Sequence, residues 1–176
     1  MQTNATTLNS ALQEFFVTAL QELYWSEVNL VNVLNTMAEA ATTTELKQAF
    51  SQHRQQTEQH ARALENVFGL LALEAQQEPS AGLQGLFDEG WQVIDETEQG
   101  SAQRDVALII AAQKVEHYEI ACYGSLITLA KTLGHREIAQ ILQPILDEEK
   151  QTDAILTSIA ESGINEEASQ EAITSE

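Results

Sequence analysis

Between Val106 and Leu133 one helical stripe, stepping by three and four residues, reads Ile109, Ala112, Glu116, Glu119, Tyr123, Leu126, Ala130 and Leu133. Two carboxylates therefore occupy positions where core side chains belong. An unpaired buried carboxylate costs several kcal/mol, roughly the whole stability margin of a small domain, so these acids need protons, cations or a metal. No other feature limits the possible folds so sharply.

Three more stripes carry polar interruptions of the same kind. A first helix, expected from Leu8 to Ala40, has the seam Leu12, Phe16, Ala19, Leu23, Glu27, Leu30, Leu34 and Met37. The other register of that seam runs through Ser26 and leaves Glu27 on its flank, while Glu22 reads as a surface acid. Thr42-Thr43-Thr44-Glu45 supplies a capping box, with Glu45 reaching back to the cap, and starts a second helix. Its seam is Leu46, Phe50, His53, Thr57, His60, Leu64, Val67 and Leu71. Two seam imidazoles point as well to ligands as to hydrogen-bonded core residues. A fourth bundle helix, from Arg136 to Ala160, has the apolar face Ile138, Ile141, Leu142, Ile145, Thr152, Ile155, Leu156 and Ile159. Glu148 and Glu149 fall into the gap in that face, one turn after Pro144, which deletes a backbone bond and should kink the helix.

The long connection between the second and third bundle helices holds Leu83, Leu86, Phe87, Trp91 and Ile94 at helical spacing, so a crossover helix over Gly82 to Thr97 is expected. Trp91 reads as core and Glu89 as surface. With 43% apolar residues, eight Gly and two Pro, and no alternating strand pattern, the class is all-α, a four-helix bundle. Residues 1–163 form a single domain, and 164–176 an acidic, disordered tail.

Glu27 and Thr57 each stand about 15 residues from the turn at Thr42, and Glu116 and Glu149 about as far from that at Gly134, so each hairpin brings its polar pair to one height. The long crossover lets the two hairpins pack with their turns at opposite ends. All the polar positions then converge at mid-bundle. Of the eight bases, Lys47, Arg54, Arg62, Arg104, Lys114, Lys131, Arg136 and Lys150, none lies on a seam. Bound cations or shared protons thus explain the acids better than salt bridges, and clustered carboxylates with few imidazoles suit iron or manganese rather than zinc.

A net charge of −19 leaves no basic cluster for phosphate backbones or anionic lipid, so neither nucleic acid nor membrane is expected as a partner. The N-terminus lacks a basic region followed by an apolar one, and a cytoplasmic location is expected. The single cysteine, Cys122, permits no intrachain disulfide and reads as a small buried packing residue.

The run Glu116-His117-Tyr118-Glu119-Ile120-Ala121 followed by Tyr123-Gly124 resembles the signature of the YciE/YciF-type ferritin-like family of bacterial stress proteins. Tyr24-Trp25-Ser26-Glu27, the His53 to Thr57 spacing, and Glu148-Glu149-Lys150 with Asp153 are also similar to it. The resemblance spans residues 8 to 160 and implies a rubrerythrin-like core with a crossover helix, a homodimer and a dinuclear metal centre. Ferritin-like dimetal enzymes usually carry Glu-x-x-His on the second and fourth bundle helices, where this chain has Thr57-x-x-His60 and Glu149-x-x-Thr152. On this reading Glu27, Glu116 and Glu149 are ligands to a divalent metal, with His53 and Glu119 as further ligands. His60, Glu148 and Asp153 are weaker candidates, and His117 belongs beside the site or at the surface. Tyr24, Tyr118 and Tyr123 pack in the core or donate hydrogen bonds to the ligands. One or two ions of iron or manganese would handle iron, oxygen or peroxide, and redox turnover would need an external electron donor because the chain has no Cys-x-x-Cys module. The competing reading is a non-enzymatic helical stress or assembly protein, dimeric, with a vestigial metal site.

Overall fold

The computed structural model describes residues 10–172, and among these there is no strand. Four long helices form the bundle: α1 (Ala11–Ala40), α2 (Thr44–Leu70), α4 (Ala102–Thr132) and α5 (Arg136–Ile159). The crossover helix α3 (Ala81–Glu96) packs on α4 and α1, and a π turn at Ala160–Ile164 leads to a short α6 (Asn165–Gln170). The expected start of the first helix at Leu8 lies outside the described residues; Ser10 caps α1, its hydroxyl accepting from the Gln13 N–H at 3.1 Å.

The expected capping box does not form at α2. The capping residue is Thr43, so Glu45 stands one position too early to reach back. The carboxylate that serves this end comes instead from α4: Asp105, fully buried, accepts from the backbone N–H groups of Thr42 at 2.6 Å and Thr43 at 2.8 Å. Negative charge is favourable at a helix N-terminus, where backbone donors lack partners. Gly134, at φ 84°, supplies the left-handed turn between α4 and α5, and the His135 N–H closes it on the Ala130 carbonyl at 2.8 Å.

The core is two apolar clusters with a polar layer between them. One contains Phe16, Leu20 and Leu23 of α1, Leu64 and Phe68 of α2, Leu126 and Ala130 of α4, and Leu142 and Ile145 of α5. The other contains Leu30 and Leu34, Leu46 and Phe50, Ile109 and Ala112, Leu156 and Ile159, with Leu83 and Phe87 of α3. The first cluster holds the turn of the α4/α5 hairpin and the second that of the α1/α2 hairpin, so the turns lie at opposite ends. Every residue of the expected α2 seam is buried, from Leu46 to Leu71.

Several expectations are corrected. In α1, Leu12 is 40% exposed and Ala19 half-buried, because the inward stripe runs through Gln13, Phe16 and Leu20. Trp91 is 36% exposed: α3 touches the bundle along one narrow face, through Leu83, Phe87 and Gly90. Cys122 is only half-buried. Arg104, read as off the seams, is buried, and its guanidinium donates to the Ile94 carbonyl at 2.6 Å, to the Thr97 carbonyl, and to the Thr97 hydroxyl at 3.0 Å. It closes the end of α3 and does not reach the polar layer. The acidic segment from 164 is ordered through its described part: Ile164 enters the second apolar cluster, and the Glu171 carboxylate accepts from the Ala102 and Gln103 N–H groups at 2.6 and 2.9 Å. One apolar anchor and one helix-capping acid hold what composition alone marked as tail.

Candidate metal centre

Each bundle helix sends acid or imidazole into the layer between the apolar clusters. Glu27 comes from α1, His53 and His60 from α2, Glu116 and Glu119 from α4, and Glu149 from α5, none more than 2% exposed. They form two groups whose ligand atoms lie within 4.8 Å of one another: His53, Glu116, Glu119 and Glu149, and Glu27, His60 and Glu149. Glu149 belongs to both. Its Oε1 lies 2.9 Å from His60 Nδ1, and its Oε2 3.8 Å from His53 Nε2. The two oxygens of one carboxylate thus face different groups, the placement a bridging carboxylate needs.

Within the first group His53 Nε2 lies 3.1 Å from Glu116 Oε1. Within the second, His60 Nδ1 is 3.6 Å from Glu27 Oε2, and the Tyr123 hydroxyl donates to Glu27 Oε1. Among the described residues ten buried side-chain nitrogen and oxygen atoms lack a hydrogen-bond partner, and all but Gln13 Nε2 belong to Glu27, His53, His60, Glu116, Glu119 and Glu149. Buried polar atoms are normally satisfied, so such a concentration marks a site built for something else to bond.

Burial, together with the neighbouring Glu27, Glu149 and Glu116, pushes the Glu119 carboxyl well above the usual range. Burial raises Glu116 to about 7, against the opposing pull of His53. Burial likewise raises Glu27, although His60 pulls it down. Burial would also raise Glu149, but its contact with His60 and the nearby His53 outweigh it and hold this carboxyl below its ordinary value. For the imidazoles the balance falls the other way. Burial would lower both, yet Glu116 and Glu149 carry His53 up to about 9, and Glu149 and Glu27 carry His60 up to about 11. Protons are thus held tightly wherever no cation stands among the carboxylates.

Residues 11–169 match the family described as "Domain of unknown function (DUF892)". The chain belongs to this family. Protein YciF of Escherichia coli strain K12 is 38% identical over 162 residues, 92% of this chain and 97% of the relative. The crystal structure of that E. coli stress protein superposes with a TM-score of 0.83, covering 89% of this chain and 98% of YciF. YcfI of Rhodopseudomonas palustris is 29% identical with a TM-score of 0.81, over 89% of this chain and 98% of its own. At 22% identity and a TM-score of 0.68, a Xanthomonas campestris protein shares the fold, over 92% of this chain and 98% of its own.

In this DUF892 chain all five residues expected as ligands, Glu27, His53, Glu116, Glu119 and Glu149, enter the buried groups. His60, weighed as a weaker candidate, stands among them on equal terms; its place on the unbroken α2 seam, two turns from His53, was the signal. Glu148 is an outer partner, half-exposed, its carboxylate accepting from His60 Nε2 at 2.8 Å. Asp153 lies outside, accepting from Gln113 Nε2 at 3.0 Å, and His117 is at the surface, donating through Nδ1 to the Gln113 carbonyl at 2.8 Å. Of the three tyrosines only Tyr123 joins the layer. Tyr24 donates to Glu65 at 2.9 Å, and the Tyr118 hydroxyl lies 3.0 Å from that of Ser80. The threonines that replace ligands of the usual pattern turn back on their own helices: Thr57 donates to the His53 carbonyl at 3.0 Å and Thr152 to that of Glu148 at 3.2 Å.

Proposed function

We propose that this homologue of the stress protein YciF is a ferritin-like metal protein whose centre takes two divalent ions, iron or manganese. The observation that carries the reading is the set of nine buried atoms without a hydrogen-bond partner on four carboxylates and two imidazoles. Four carboxylate charges match two dications with both imidazoles neutral, and an oxygen-rich donor set with few imidazoles suits iron or manganese better than zinc. His53, Glu116 and Glu119 would hold one ion and Glu27 and His60 the other, with Glu149 between them.

The chain's own residues prepare the centre for this. Glu148 accepts from His60 Nε2, which leaves the Nδ1 lone pair towards Glu27 and Glu149. Tyr123 donates to Glu27 and fixes one of its oxygens, and the apolar clusters above and below exclude bulk water. Iron or manganese bound there supplies one-electron chemistry towards dioxygen or peroxide. The protein would work in the cytoplasm as a homodimer and draw electrons from an external donor. The alternative, a stress or assembly protein with a vestigial site, has its support in Thr57 and Thr152, whose hydroxyls serve their own backbones. The two readings separate on metal linkage. Saturating Fe²⁺ under anaerobic conditions, or Mn²⁺, should raise the melting temperature of the wild type and leave Glu116→Gln unmoved while its helix content is retained. A wild type that melts at the same temperature with and without metal would leave the vestigial reading.

A further inference from the structure

No ligand side chain of the centre is more than 2% exposed, so whatever reaches it crosses the bundle wall. One seam of that wall is imperfectly filled. Between α2 and α5 lies a cavity of about 30 Å³ lined by Ala49, Gln52, His53, Gln56, Thr152 and Ile155, among others. Its lining grades inwards from exposed Gln52 and Ile155, through half-buried Ala49 and Gln56, to buried Thr152 and His53. The innermost of these residues is one of the candidate ligands, and its Nδ1 is buried without a partner.

A buried water needs roughly 10–15 Å³ on this measure and two to four polar neighbours, so the cavity has room for one or two waters. It has no room for a dication carrying about six of them. Of its lining residues only His53 is ionisable, its imidazole neutral when it holds a metal, and a net charge of −19 repels anions from the mouth. What fits is neutral and water-sized. We propose that the α2/α5 cavity is a port through which molecules such as water, dioxygen and hydrogen peroxide exchange with the centre, with the His53 imidazole as its inner wall. A second route through the wall is the Glu148–His60 edge, where a half-exposed carboxylate touches a buried imidazole at 2.8 Å. Charge and exposure suit that edge to cations.

This inference rests on the metal reading, and the test separates the two. Nitric oxide is a neutral diatomic whose association with protein-bound Fe²⁺ can be followed by stopped-flow absorbance under anaerobic conditions. Ala49→Leu, which fills the mouth, should slow nitric oxide association by about tenfold, the effect of a modest rise in a passage barrier. Gln56→Ala, which widens it, should speed association several-fold, and both variants should bind Fe²⁺ with wild-type affinity. General loosening of the bundle would speed both variants and so cannot imitate the opposite signs. Iron bound by all three proteins with equal nitric oxide rates would overturn the port, and altered rates in Glu148→Ala alone would move the route to the His60 edge. Failure of the wild type to bind iron would overturn the metal reading itself.

Discussion

Stability of the metal-free protein should fall as pH rises from 5 to 9, and metal should reverse that trend. In the folded chain burial, opposed by His53, leaves Glu116 raised from 4.5 to about 7, and the nearby carboxylates, outweighing burial, leave His53 raised from 6.5 to about 9. A group with a raised folded-state pKa stabilises the fold fully below its unfolded value and loses that contribution as pH climbs through the folded one. For Glu116 the loss falls between 4.5 and about 7, and for His53 between 6.5 and about 9. Each difference is worth on the order of 3 kcal/mol, but the two groups face each other and share protons, so the contributions do not add. A loss of that order in total corresponds to a melting temperature lower by roughly 6–12 °C for a chain of this length. Glu149, held below its ordinary value, has the opposite sign, and its contribution is lost only as pH falls below the usual carboxylate range. Metal competes with the same protons, so the stabilisation it gives should grow with pH. Far-UV circular dichroism melts at pH 5, 7 and 9, in chelator and in excess Mn²⁺, measure both trends. A chelated protein whose melting temperature is flat or rises over this range would refute the reading of the buried acids, as would an unchanged slope in Glu119→Gln.

Three further outcomes bear on packing and on the outer partners. Leu64→Ala, at a fully buried position, should cost ~2–5 kcal/mol in denaturant melts, and a loss under ~0.5 kcal/mol would mean that α2 is turned wrongly. Glu148→Ala should weaken Mn²⁺ binding by about 10–100-fold, with Glu148→Gln restoring most of it because the amide oxygen still accepts from His60; equal affinity in both variants would remove Glu148 from the support of the centre. Asp105→Ala leaves the Thr42 and Thr43 N–H groups without their buried acceptor and should cost at least ~1–3 kcal/mol, whereas a neutral result in urea melts would show that water replaces the carboxylate.

The bundle was legible because its periodicity is strict where it matters. The α2 seam keeps its register from Leu46 to Leu71, and acids or imidazoles interrupt each stripe at heights that the two turns bring together. What stayed hidden depends on contacts distant in sequence. Asp105 reaches the start of α2 from more than sixty residues away, at 2.6 and 2.8 Å, and nothing local to Thr42 announces it. Glu171 folds back on α4 in the same way, so a segment with little periodicity gains its order from the helix end that it caps. Trp91 was misplaced because an amphipathic pattern gives the direction of the apolar face but not how much of it a neighbour covers. His60 carried the right signal in its spacing, yet an imidazole on a seam, even beside a second, is physically ambiguous until the acids of α1 and α5 are seen next to it.

The central claim, that two cations share Glu149, is tested most directly by anomalous diffraction from crystals soaked in Mn²⁺. Two peaks are predicted, one on each side of the Glu149 carboxylate, the first within ligand reach of His53, Glu116 and Glu119 and the second of Glu27 and His60. A fully soaked crystal with no peak in the layer between the two apolar clusters would contradict the account.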